Sequence, residues 1–186
     1  ISKGLVGSEM CIRDRKKISQ EILNQALLAA SNAPCHKHTH PWKFYILGKA
    51  TRTKLIPTIS RLAAIKSAKQ NSQNLEADCS RAINKITQPP LLIAVTSKKT
   101  EDDSFREKED YAATVCALHN LVLSLWENGV GSQWSTGSIT RDEETYDILS
   151  IDSKTEEIIG FVKAGYPEKT REVRKKPVVD IVNYLD

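Results

Sequence analysis

The chain of 186 residues lacks most of the features that betray a function at a glance. No apolar run approaches the roughly 20 residues that a bilayer-crossing helix needs. No C-x-x-C pair occurs: beyond residue 15 the cysteines are Cys35, Cys79 and Cys116, an odd and scattered set. That usage reads as reduced thiols in a cytoplasmic protein rather than a disulfide framework. Neither sign of charge dominates, with 27 basic and 23 acidic side chains and a formal net charge of +4. So small and dispersed an excess argues against nucleic acid as a partner. The glycine-rich stretch at 129–137 has neither the G-K-[ST] of a P-loop nor the G-x-G-x-x-G of a dinucleotide fold.

Residues 6–15 read V-G-S-E-M-C-I-R-D-R, which looks like the translation of a sequencing-library adapter. Residues 1–15 are therefore expected to be foreign to the fold and are set aside. Without Lys3, Glu9, Arg13, Asp14 and Arg15 the net charge falls by one. What remains, 16–186, is long enough for one domain with a real core.

Periodicity and punctuation predict an α+β order. Ser19 can cap a helix whose apolar face is Ile22, Leu23, Ala26, Leu27 and Ala30. A strand is expected at 42–47, helices at 51–69, with Pro57 a kink or a start, and at 75–86. The apolar run at 91–96 reads as a central buried strand. Residues 98–108 read as a charged, mobile loop. The helix at 110–128 is apolar on most sides, as a central or shared helix would be. A short extended segment at 133–136, a helix at 142–149 and a strand at 158–165 follow. The tail, 168–186, is basic and then apolar, with no evident place in its own core.

Three segments can carry chemistry. Residues 33–44 read A-P-C-H-K-H-T-H-P-W-K-F, a proline-bounded arch. If extended, it would aim His36, His38 and His40 one way. Cys35 and these imidazoles could ligate a metal, but four ligands within six residues strain tetrahedral geometry. A solvated loop or contact with a planar, polar cofactor are the other readings, and cofactor contact fits best. Residues 129–137 read G-V-G-S-Q-W-S-T-G; they either end a helix or bring backbone amides and hydroxyls to a ligand. Arg171, Arg174, Lys175 and Lys176 precede Pro177 as a solvated tail or a phosphate clamp.

The order and spacing of A-P-x-H-K-x-x-x-P-W, Glu109-Asp110 and Asn120-Leu121 on the next long helix, G-x-G-x-x-W-x-T-G, G-Y-P and a basic K-P resemble the FMN-dependent nitroreductase family, in its small, single-domain bacterial form. The resemblance covers residues 18–185. It implies a nitroreductase-like antiparallel or mixed sheet flanked by helices, and a homodimer with FMN at the subunit interface and an embracing carboxy-terminal arm. By position, Asn32, His36 and His40 would contact the flavin, and Trp134, Ser135, Thr136 and Gly137 would line its ring, largely through main-chain groups. Lys175 and Lys176 would approach its phosphate. The implied activity takes electrons from NADH or NADPH to a nitro compound, quinone or similar small acceptor by a ping-pong route, with no side chain needed as general acid. A flavin- or metal-binding protein without activity is the alternative. The chain departs from the family in two places. His40 stands where glutamine usually precedes P-W, and no R-R-S phosphate grip is present, for which Arg13 and Arg15 are no substitute.

Overall fold

The computed structural model describes residues 16–168 and 176–185. Its centre is a four-stranded sheet in the order β1-β2-β4-β3, antiparallel throughout, so no parallel pair makes it mixed. The strands are β1 (Trp42–Ile46), β2 (Leu91–Lys98), β3 (Gly131–Ser135) and β4 (Glu156–Gly165). The apolar run around Leu91 does become an inner strand, buried from Leu91 to Ser97. A bulge between Val95 and Thr96 slips the β2–β4 register past Ile159.

Helices cover both faces. On one lie α1 (Gln20–Ser31) and α5 (Ser104–Glu127), which close a core of Ala26, Ala30, Leu118, Leu121, Leu125 and the inward residues of the strands. Asn120 Nδ2 donates to the Ala29 carbonyl at 3.2 Å and ties the two helices together. On the other lie α2 (Lys49–Lys54), α3 (Ile56–Lys69), α4 (Leu75–Thr87) and α6 (Glu143–Leu149), around Leu55, Ile59, Leu92, Ile158 and Phe161. Each stripe of apolar residues at helical spacing thus meets one face of the sheet.

Two expectations are corrected, and a third holds in one of its two forms. The charged stretch 98–108 is a loop only in its first half: Asp103 accepts from the Arg106 amide at 2.9 Å and starts α5 at Ser104. The helical stretch expected at 51–69 begins at Lys49 and breaks at Leu55, and of the two readings of Pro57 the start holds, since it sits in the first turn of the second helix, where its missing N–H costs nothing. Residues 36–38 are a 3₁₀ turn, not extended, and Lys37, His38 and His40 have positive φ. The extended alternation that would aim the three imidazoles one way is therefore absent, and the His38 and His40 ring centroids lie 6.3 Å apart. The end of α5 follows its sequence: Gly129 takes φ +73°, and the Gly129 and Val130 amides close back onto Trp126 and Leu125.

No helix among the described residues is long and apolar enough to cross a membrane. The outer side of α1 and α5 leaves Leu28, Phe105 and Leu123 in contact with solvent. The tail from Val178 to Leu185 lies exposed, with Val179 79% accessible.

Candidate functional site

The two segments singled out in the sequence occupy opposite edges of the sheet. The arch leads into β1 and the glycine–tryptophan segment forms β3, with β2 and β4 between them. Three strand spacings, about 14 Å, keep them apart within one chain.

The arch is held by α5. Thr39 Oγ1 donates to Asp110 Oδ1 at 2.6 Å, and Arg106 both pairs with Asp110 at 3.6 Å and donates to the His36 carbonyl at 3.3 Å. Asp110 is fully buried, so its carboxylate is paid for by these partners. His40 stands edge-on to Trp42, with ring centroids 5.5 Å apart, and its Nδ1 lies 3.8 Å from Cys35 Sγ. Asn32 caps α1, its side-chain amide donating to Leu28 at 3.1 Å. Among the described residues no three His, Cys, Asp or Glu side chains are placed to hold a metal.

At the other edge a cleft of about 450 Å³ opens between the sheet and the α3–α4 pair. β3 and β4 form its floor through Gln133, Ser135, Phe161 and Lys163; Thr136 and Gly137 form one lip. Lys66 from α3 and Arg81 and Lys85 from α4 stand around it. The one acid among the described lining residues, Asp78, is already engaged: Ser67 donates to it at 2.7 Å and Arg81 pairs with it. Hydrogen bonds from Ser72 and Ser67, aided by Arg81, hold its carboxyl below the usual range. The cleft is therefore cationic.

Strand alternation explains the floor. Phe161 and Lys163 face the cleft, while Val162 and Ala164 face α1 and α5. Lys163 is only 8% exposed, and no hydrogen-bond or ion-pair partner reaches it among the described residues. Burial, reinforced by the charge of Lys85, pulls its ammonium down to about 8. Trp134 points the opposite way from Ser135. Its ring joins the α1–α5 core and its indole N–H donates to the Ile159 carbonyl at 3.2 Å. Gly160 makes this possible, since a Cβ there would lie 2.1 Å from Trp134 Nε1.

Of the residues expected at a site, Ser135, Thr136 and Gly137 come together in the cleft. The Trp134 side chain turns away, and Asn32, His36 and His40 lie at the other edge. Lys176 is exposed in the tail, and Lys175 lies outside the described residues. Sequence reasoning missed Lys163, Gln133 and the α3–α4 cations. The available signal was a lysine inside the apolar run G-F-V-K-A-G.

A four-stranded antiparallel sheet between two helical layers, with a cationic cleft at one edge and a histidine arch at the other, makes a three-layered α+β domain. The chain belongs to the Nitroreductase family, whose sequence profile matches residues 13–166. It is 27% identical over 184 residues to YfhC of Bacillus subtilis (strain 168), provisionally named an NAD(P)H nitroreductase, covering 97% of this chain and 92% of that protein. Solved structures share the fold. A nitroreductase-like protein from Bacillus cereus superposes with a TM-score of 0.73 at 23% identity, covering 93% of this chain and 88% of that one. A nitroreductase with bound FMN from Bacteroides fragilis NCTC 9343 gives 0.69 at 21% identity, covering 96% and 94%.

Proposed function

We propose that the protein is an FMN-dependent oxidoreductase that takes electrons from NADH or NADPH and delivers them to a nitro compound, a quinone or a similar small acceptor. The observation that carries this reading is the cationic cleft closed by Ser135, Thr136 and Gly137 on a Nitroreductase-family fold. The name of YfhC and the FMN held by the Bacteroides fragilis neighbour support it.

The residues present fit a flavin. Nothing lies within 4 Å of the position a Cβ would take on Gly137, so a flat ring can approach the main chain there. Lys66, Arg81 and Lys85 favour an anionic ligand, and Lys163 offers a largely buried cation with no partner among the described residues. When bound, the flavin supplies the hydride and electron chemistry. The chain's part is to orient the ring with Ser135, Thr136 and Gly137, exclude water from the floor with Phe161, and stabilise negative charge with cations. One cleft serving reductant and acceptor in turn predicts ping-pong kinetics.

A second copy completes the site in this proposal. Within one chain the arch and the cleft are too far apart to grip one ring. The exposed Leu28, Phe105 and Leu123 and the apolar tail after Pro177 offer a surface for a homodimer. Asn32, His36 and His40 then reach the flavin of the other copy, and Lys175 and Lys176 approach its phosphate. The free thiols suit the cytoplasm.

The test is a visible-spectrum titration of the full chain with FMN, followed by NADH or NADPH. Saturable perturbation of the flavin spectrum and bleaching by a nicotinamide are expected, with His36→Ala weakening FMN binding. Binding without bleaching would leave a flavin-binding protein rather than an enzyme, and no binding would reject the proposal.

A further inference from the structure

Lys163 does nothing for the fold that the described residues reveal. A largely buried lysine with no partner among the described residues is a cost, and a methionine would fill the same space without it. Its surroundings do not relieve it. From α3 it faces Lys66; from α4 it faces Arg81, Lys85 and Asp78, whose carboxylate is taken by Arg81 and Ser67. From β3 it faces the uncharged Gln133 and Ser135, and from β2 it is paired with apolar Leu92. Lys66 and Lys85 are exposed and screened by solvent, whereas Lys163 is only 8% exposed where it borders the cleft. The group it can satisfy is an acceptor that carries negative charge inside the cleft.

A flavin becomes such a group on reduction. Hydride transfer adds two electrons and one proton to the ring, which leaves one negative charge on its N1–C2 carbonyl edge unless solvent supplies a second proton. We propose that Lys163 is a cofactor-facing residue that sets its ammonium against this charge and so favours the reduced flavin over the oxidised one. The inference rests on the FMN reading above and deepens it by naming the residue that tunes the redox balance. A strand lysine of this kind is a property of this chain's own floor, independent of the arch and of the tail.

The experiment compares the full chain with Lys163→Met and Lys163→Gln. Each is titrated with FMN under air and again after reduction by dithionite, and the midpoint potential of the bound flavin is measured. Replacing Lys163 is expected to weaken binding of reduced FMN relative to oxidised FMN by about tenfold, equivalent to about 30 mV for a two-electron couple. The difference is expected to narrow as pH rises above about 8, where the lysine of the oxidised protein loses its proton. Circular dichroism checks that each variant is folded, and the glutamine variant serves if the methionine one is not. An unchanged ratio of the two affinities in a folded variant that still binds FMN would overturn the inference and leave the proposed function standing. A parent chain that binds no FMN in either state would reject the function, and the inference with it.

Discussion

β4 buries a charge at each end of the same face, and the two are treated in opposite ways. At its start, Glu156 accepts from Thr96 Oγ1 at 2.7 Å and from Tyr45 Oη at 2.8 Å, and pairs with Lys43. Burial pushes this carboxyl up, but the bonds from Lys43, Thr96 and Tyr45 outweigh it and leave the group below its ordinary range. Burial, aided by the contact with Glu156, pushes the Tyr45 phenol up to about 12. Near the other end, Lys163 has no partner among the described residues. A satisfied buried charge fixes strand register; an unsatisfied one is tolerated where a ligand completes it. One strand thus carries a charge held by partners within the fold and a charge that, in the proposal above, a ligand completes.

The most severe way to break this comparison is to remove Glu156. Glu156→Ala strands the Tyr45 and Thr96 hydroxyls and frees Lys43. It is expected to cost about 3 kcal/mol in urea unfolding, since bonds to a charged group are worth about 1.5–3 kcal/mol each and the exposed lysine adds little. Because the folded carboxyl titrates lower than the unfolded one, its stabilisation is full at neutral pH and is lost as pH falls through the folded pKa. The gap between the parent chain and Glu156→Gln should therefore close in acid. A gap that persists in acid would mean that the carboxylate's charge is not what Thr96, Tyr45 and Lys43 hold.

Gly160→Ala tests the strand between these ends. The added Cβ would meet Trp134 Nε1 at 2.1 Å, against a ring fixed in the α1–α5 core. Overpacking of this kind costs about 1–3 kcal/mol, to be read from the same unfolding curves. Lys163→Met is expected to act in the other direction, raising the melting temperature of the flavin-free protein by about 2–8 °C. The sign follows from linkage. Below about pH 8 both the folded and the unfolded lysine are charged and the burial penalty is complete; above it the folded lysine sheds its proton first and the penalty fades. The gain should thus be largest near neutral pH and shrink in alkali, and a Lys163→Met variant that melts lower at pH 7 would end the contrast with Glu156. The smallest effect belongs to His40→Gln in the exposed arch, expected to stay within about 0.5 kcal/mol by thermal or chemical unfolding.

What was legible in the sequence follows from how local each signal is. The buried strand at 91–98 declared itself by an unbroken apolar run, and α1 by Ser19 and a clean apolar stripe. The start of α5 did not, because the charges around it outweighed one capping aspartate. The arch and the glycine–tryptophan segment were both visible as segments, but their separation by two strands depends on sheet order, which no local pattern states. Likewise β3 alternation, not composition, turns Trp134 into the core and Ser135 into the cleft. Lys163 was hidden for the same reason. A lysine in a strand looks like a solvent-facing position until α4 packs over it, and that packing is set by residues some 80 positions earlier in the chain.

The measurement that bears most directly on the account is size-exclusion chromatography with light scattering and visible absorbance, run on the full chain with excess FMN. Flavin absorbance is expected to travel with a species of twice the chain mass, in equal numbers of flavins and chains. A monomer that emerges colourless at saturating FMN would contradict it.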